Sequence, residues 1–204
     1  PTDTPVPTPT QETAQFYGTV SILDARTRAR MRYSWRPGCP VPLAALRLLI
    51  VSHWGFDGRV HTGELVVHRD QAEAVLGVMR RLFSAGFPIE RMLLVDVYGG
   101  SDDRSMAANN TSAFNCREVT GRPGVWSEHS YGRAIDINPV QNPYVADGVV
   151  LPPAGDAYVD RSIDARGMIY PNGPVVSAFA AIGWRWGGYW SSPTDYQHFS
   201  ASGR

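Results

Sequence analysis

Two short segments hold residues able to do chemistry together. Residues 127–138 read Ser-Glu-His-Ser-Tyr-Gly-Arg-Ala-Ile-Asp-Ile-Asn, and residues 195–199 read Asp-Tyr-Gln-His-Phe. His129, His198 and Asp136 supply two imidazoles and a carboxylate. That set suits one zinc ion, which takes three protein groups in catalytic sites and leaves a fourth position for water. Asp195, three residues before His198, is near enough to work on that water without being needed as a ligand. The combination points to metal-assisted hydrolysis. A His followed by an Asp seven residues later is a weak pattern alone, but its setting sharpens it. Gly132 permits close backbone approach between the two ligands, and Ala134 leaves room on the strand face that carries Asp136. The competing reading is of hydrogen-bonded core histidines and surface carboxylates.

The elements that must position these residues follow from periodicity and turn signals. Residues 134–138 read as a strand, with Ile135 and Ile137 on one face and Asp136 on the other. Residues 184–186 and 197–199 can pair as terminal strands around a Gly-rich loop. Upstream, residues 46–52 form a continuous apolar run and residues 64–68 a second strand candidate. Asp70 offers an N-cap to a helix whose apolar positions Val75, Val78, Met79, Leu82 and Phe83 share a face and which stops at Gly86. Residues 17–23 and 31–35 contain β-favouring runs around an arginine-rich turn at 24–30, which predicts a hairpin. Residues 93–98 read as a buried strand, 99–115 as a long polar loop and 141–171 as loop-rich. A second helix is expected over 174–182, with Pro174 near its start and Gly183 at its end. Strands dominate and helices are inserted irregularly, so the predicted class is α+β with a mainly antiparallel central sheet.

Composition bounds the function. The 204 residues suffice for one core. Residues 1–15, rich in Pro and Thr and poor in large apolar side chains, are read as a disordered tether, leaving residues 16–204 as the single domain. Nineteen basic and nineteen acidic residues balance, which gives no electrostatic case for nucleic acid or an anionic membrane. All the basic residues are arginine, so Schiff-base and lysine-nucleophile chemistry are excluded. No apolar stretch is long enough to span a membrane, and the chain is taken as a monomer. Cys39 and Cys116 are the even number expected of one disulfide, with two free core thiols as the alternative. A bridge would stabilise by about 4 kcal/mol in the chain-entropy model, would fit an oxidising compartment and would anchor the neighbouring Arg117.

The two motif segments are similar to those of the VanY-like D-alanyl-D-alanine carboxypeptidase and L-alanyl-D-glutamate endopeptidase family of zinc peptidases. The family pattern Ser-x-His-x-x-Gly-x-Ala-x-Asp falls on Ser127, His129, Gly132, Ala134 and Asp136, and its acid-x-x-His-Phe signature on Asp195, His198 and Phe199. A looser likeness runs from Gly63 to Gly203. The resemblance implies zinc held by His129, Asp136 and His198, and a substrate drawn from the stem peptide of bacterial peptidoglycan. It also implies a hedgehog/DD-peptidase-like fold and a place secreted from, or tethered to, the bacterial cell envelope. Relatives that cut D-Ala-D-Ala usually carry Glu at the acid position and the endopeptidases Asp, so Asp195 tilts the expectation toward the endopeptidase branch, with the carboxypeptidase as alternative.

In this scheme Asp195 takes the proton of the attacking water and returns it to the departing amine. Arg117, twelve residues before His129, is the candidate partner for the developing oxyanion or for a substrate carboxylate. Its bland reading is a surface arginine paired with Glu118 or Asp103. Ser127 is a candidate substrate contact, as in relatives, or equally a cap. Tyr189 and Trp190, in the aromatic run before Asp195, are candidate walls of a substrate groove or else core. His53, His61 and His68 read as structural, and Asp102, Asp103, Asn109 and Asn110 as turn formers. A function of another class, a zinc-bearing wall-binding module without catalysis, is disfavoured by Asp195, because a purely structural site gains nothing from it.

Overall fold

The computed structural model describes residues 14–119 and 122–204. The expected tether thus lies, except for its last two residues, outside the described residues.

In chain order the strands are β1 (Gly18–Ile22), β2 (Leu46–Trp54), β3 (Val60–His68), β4 (Arg91–Met92), β5 (Asn110–Thr111), β6 (Glu118–Val119), β7 (Arg122–Trp126), β8 (Ala134–Asp136), β9 (Tyr144–Ala146), β10 (Val149–Leu151), β11 (Arg185–Trp186), β12 (Thr194–Asp195) and β13 (His198–Ser200). The α-helices are α1 (Ala25–Arg30), α2 (Ala72–Ser84), α3 (Asp102–Ala107) and α4 (Pro174–Ala180). The class is α+β, as expected, and the strand pairs are antiparallel except β4 with β5. They are divided among several small sheets, of which the three-stranded ones run β1-β2-β3, β10-β9-β12 and β11-β13-β8.

The β2–β3 hairpin explains why β2 carries apolar residues on both of its faces. Leu49 and Val51 face a large core with Leu65, Val67, Val75, Met79, Leu82, Ile135, Phe179 and Phe199. Leu46 and Leu48, on the other face, join Leu23, Met31, Val66, Leu94, Phe114 and Cys116. Covering both faces of the sheet removes the need for polar alternation. Helix α2 closes the larger core through Val75, Val78, Met79, Leu82 and Phe83, the predicted face. Its N-cap is Gln71, without a side-chain bond, whereas Asp70 lies one residue too early and pairs instead with Arg69 and His68.

The predicted hairpin over 17–35 does not form. Strand β1 pairs with β2, and 24–30 is a helix: the Asp24 carboxylate accepts from Thr27 N at 2.7 Å as an N-cap. Leu23, Thr27 and Met31, spaced by four, are the buried positions, a helical period that the β-favouring residues of 31–35 mask. Residues 93–98 are likewise not a strand. Val95–Tyr98 is a 3-10 turn closed by Gly99 at φ 66°, with Val97 63% exposed, so the apolar run does not stay on a buried ladder. Within the expected loop 99–115 lie α3 and β5.

The Cys39–Cys116 disulfide is formed, across a sequence separation of 77.

Candidate metal centre

The element that presents His129 is one turn of 3-10 helix, Glu128–Tyr131. Ser127 caps it, its hydroxyl accepting from His129 N at 3.4 Å. Gly132 ends it at φ 66°, and a Cβ there would come within 2.6 Å of His68 N. Only glycine allows this approach, which is sealed by the His68 N–H donating to Gly132 O at 2.8 Å. Strand β8 follows at once and pairs with β13 in the register His198↔Asp136, Phe199↔Ile135 and Ser200↔Ala134. Directly opposed residues share a face, so Asp136 and His198 emerge together while Ile135 and Phe199 enter the core. The small side chain of Ala134 is fully buried.

These elements bring His129, Asp136 and His198 together, with one donor atom from each lying within 4.8 Å of the other two. His129 Nε2 is 3.1 Å from Asp136 Oδ2, and His198 Nδ1 is 2.9 Å from Asp136 Oδ1. All three residues are buried. The other nitrogen of each ring has a main-chain partner: His129 Nδ1 lies 2.5 Å from Ala113 O, and His198 Nε2 lies 3.2 Å from Arg204 O. Such outer partners fix tautomer and ring orientation. With Nδ1 donating to Ala113, His129 Nε2 is a bare acceptor, and it is a buried nitrogen without a hydrogen-bond partner among the described residues. An acceptor of this kind beside a carboxylate fits a divalent cation, and the donor set fits zinc.

Electrostatics bind the cluster further. Burial disfavours the Asp136 carboxylate, but the two imidazoles beside it, with the His198 Nδ1 contact at 2.9 Å, hold its pKa well below the usual carboxylate range. Burial pushes His198 down, and the hydrogen bond and charge of Asp136 outweigh it to raise the imidazole to about 9. Asp195 behaves oppositely. Burial pushes its carboxyl up to about 7, with Asp136 adding to the rise and His198, His129 and Arg117 opposing it. The residue is half-buried, yet its Oδ1 is sealed and without a hydrogen-bond partner. Its place is fixed by β12 and by Gly187, where a Cβ would come within 2.6 Å of Asp195 O.

Of the remaining candidates, Arg117 forms its ion pair with Asp102, Nη2 to Oδ2 2.7 Å, and its Nη1 donates to the main-chain oxygen of Glu118 at 3.3 Å. Its backbone N–H donates to Ser130 Oγ at 2.9 Å, which couples it to the turn carrying His129. Trp190 lies against His198, ring centroids 5.5 Å apart, and is tied by its Nε1–H to Gly203 O. Tyr189 is 59% exposed and packs edge-on against Trp186. Ser127 is buried in its capping role. His61 pairs with Asp57, and His53 and His68 are buried; none of the three belongs to the His129–Asp136–His198 group.

Two contributors escape the sequence reading. Ala113 acts through its main-chain carbonyl, which no side-chain pattern reveals. Tyr144 stands opposite Asp195 in the β9–β12 register, with its hydroxyl pKa raised first by burial and then by the Asp195 charge. The signal for it was present: Asp147-Gly148 is a two-residue hairpin turn, and both residues take positive φ.

Comparison with known proteins agrees with this geometry. Residues 120–201 match the model of a family described as D-alanyl-D-alanine carboxypeptidase, a span that contains Ser127, His129, Asp136, Asp195 and His198 but not Arg117. The match supports a peptidase of that general kind. No curated protein and no solved structure matches the chain. The disulfide and this match are compatible with an extracellular location, and no helix among the described residues is long and apolar enough to cross a membrane.

Proposed function

We propose that this protein is a zinc-dependent peptidase that hydrolyses peptidoglycan stem peptides outside the cell, cutting the bond between L-Ala and D-Glu. The observation that carries the hydrolytic reading is the pairing of a closed His-Asp-His donor set with Asp195, a desolvated carboxyl that senses the charge of all three. When bound, zinc would supply Lewis acidity toward water and the scissile carbonyl. His129, Asp136 and His198 would hold it, their rings oriented by the Ala113 and Arg204 oxygens. Asp195 accepts the proton lost by the attacking water and delivers it to the departing amine, two tasks favoured by a carboxyl whose pKa lies near neutrality. Arg117, braced by Asp102, offers its guanidinium to the developing oxyanion or to a substrate carboxylate. Trp190 and the exposed Tyr189 line the approach beside His198.

The endopeptidase preference rests on aspartate, rather than glutamate, at position 195. A second reading, removal of a terminal D-Ala, is favoured by the description of the matching family. Incubation with defined muropeptides and mass spectrometry of the products separates them: a new peptide beginning at D-Glu supports the first, loss of one D-Ala the second. Zinc bound without turnover of either substrate would overturn both in favour of a non-catalytic wall-binding module. Asp195→Ala is expected to keep zinc and lose turnover by a factor on the order of 10²–10⁴, whereas His129→Ala loses both. Metal content and single-turnover rates on the same preparations check this.

A further inference from the structure

The chain is neutral overall, yet residues 26–36 carry five arginines, at 26, 28, 30, 32 and 36, and no carboxylate. All five are exposed, because α1 turns Thr27, and the next residue after the helix, Met31, into the protein. Arg26, Arg30 and Arg32 line one concavity of about 430 Å³ whose other walls include Tyr33, Leu94 and Val97.

Each carboxylate nearby has at least one partner, although the buried Oδ2 of Asp96 has none among the described residues. Asp24 caps α1, and Asp96, also in the wall, receives the Tyr33 and Ser34 N–H groups on Oδ1. Glu64 pairs with Arg30 alone. Arg26 and Arg32 are left without an ion pair or hydrogen bond among the described residues, Arg32 lying over the Tyr33 ring at 4.8 Å. A guanidinium in this state offers forked donors to phosphate or carboxylate. Arg26 and Arg32 stand six residues apart, on either side of the Glu64-paired Arg30, so the two free cations are spaced for separate charges of a chain rather than for one small ion. Tyr33 and Val97 are 49% and 63% exposed and supply apolar contact that a bare anion does not use. A nucleic acid would need free aromatic faces for its bases, and Arg32 occupies one face of Tyr33.

We propose that this concavity is a binding subsite for an acidic carbohydrate polymer, a chain of sugar or polyol units bearing phosphodiester or carboxylate groups. It is joined to the loop that carries Arg117: Cys116 N–H donates to Ser34 O, Arg36 Nη1 donates to Cys116 O, and the disulfide binds Cys39 to Cys116. A polymer held there would be tied through covalent and hydrogen-bonded structure to the metal centre's rim. The inference does not rest on the peptidase reading, since binding is measured without turnover.

The test is titration of the full chain with an oligogalacturonate, a poly(glycerol phosphate), inorganic polyphosphate, single-stranded DNA and neutral dextran. Binding to the first or second is expected, identifying carboxylate or phosphodiester as the recognised group, with affinity falling as salt is raised. Dextran should not bind. Arg26→Ala/Arg32→Ala should weaken that binding about tenfold or more, and Arg26→Lys/Arg32→Lys should recover part of it. Tyr33→Ala should weaken binding of the carbohydrate probe and leave polyphosphate unaffected. Unchanged binding in the double alanine variant, with its melting temperature also unchanged, would overturn the subsite. Tighter binding of polyphosphate or DNA than of both carbohydrate polymers would overturn the assigned partner.

Discussion

At the scale of single residues, the centre is defined by two buried carboxyls with opposite environments. Asp136 lies between two imidazoles and stays ionised, while Asp195 is desolvated and holds its proton to about pH 7. In the metal-free protein this has a stability consequence whose sign can be worked out. The raised pKa values of Asp195 and His198 contribute stability below their unfolded values, and that contribution is lost as pH rises through about 7 and about 9 respectively. The depressed pKa of Asp136 contributes above the ordinary carboxylate range and is lost in acid. Metal-free protein should therefore be most stable near pH 4 and lose stability between about pH 4 and pH 9, first through Asp195 and then through His198. Chemical denaturation after chelation, repeated across that range, checks this. Asp195→Asn removes the ionisation that costs up to about 4 kcal/mol above pH 7, so its stability advantage over wild type should be larger at about pH 8 than at about pH 4. An equal stability difference at both values would show that the Asp195 carboxyl is not desolvated in the folded state.

At the scale of elements, the site depends on short pieces locked at fixed register. The β8–β13 pairing places Asp136 opposite His198, and Gly187 lets β12 lie against the adjoining turn with no room for a side chain. Gly187→Ala should push Asp195 out of position while leaving β8, β13 and the three ligand side chains in place. The expected result is near-normal zinc content with turnover reduced tenfold or more, read from metal analysis and steady-state rates; equal activity would show that the Asp195 backbone tolerates displacement. The same shortness explains what the sequence could and could not disclose. The grouping of His129, Asp136 and His198, and the strand bearing Asp136, were legible because motif spacing and two-residue alternation are local. Helix α2 was legible because five of its apolar positions fall on one face. Helix α1 was obscured by β-favouring Tyr33 and Trp35 just beyond its end, although Leu23, Thr27 and Met31 keep a helical period. The pairing of Arg117 with Asp102, and the Ala113 carbonyl behind His129, are long-range contacts that no local pattern encodes.

At the scale of the whole molecule, one connection between the cluster around Leu23, Met31 and Phe114 and the His129–Asp136–His198 group is the segment 112–117. Ser112 exchanges backbone hydrogen bonds with Asp136, Ala113 orients His129, Asn115 N–H donates to His129 O, and Cys116 is bound covalently to Cys39. The disulfide therefore restrains the segment that positions both a ligand ring and Arg117. A bridge across a separation of 77 carries about 4 kcal/mol in the chain-entropy model, and engineered cases fall below that figure. The β8–β13 pairing and the large apolar core do not include either cysteine, so reduction should leave the donor set assembled at low temperature. Reduction, or Cys39→Ala/Cys116→Ala, is thus expected to lower the unfolding midpoint substantially and to raise KM more than it lowers zinc content, because the Arg117 loop loosens before the ligand strands separate. Thermal unfolding with and without reductant, paired with metal analysis and kinetics well below the reduced midpoint, checks it. Zinc lost in step with activity on reduction would mean that the disulfide holds the ligand set itself and that the two halves unfold as one unit.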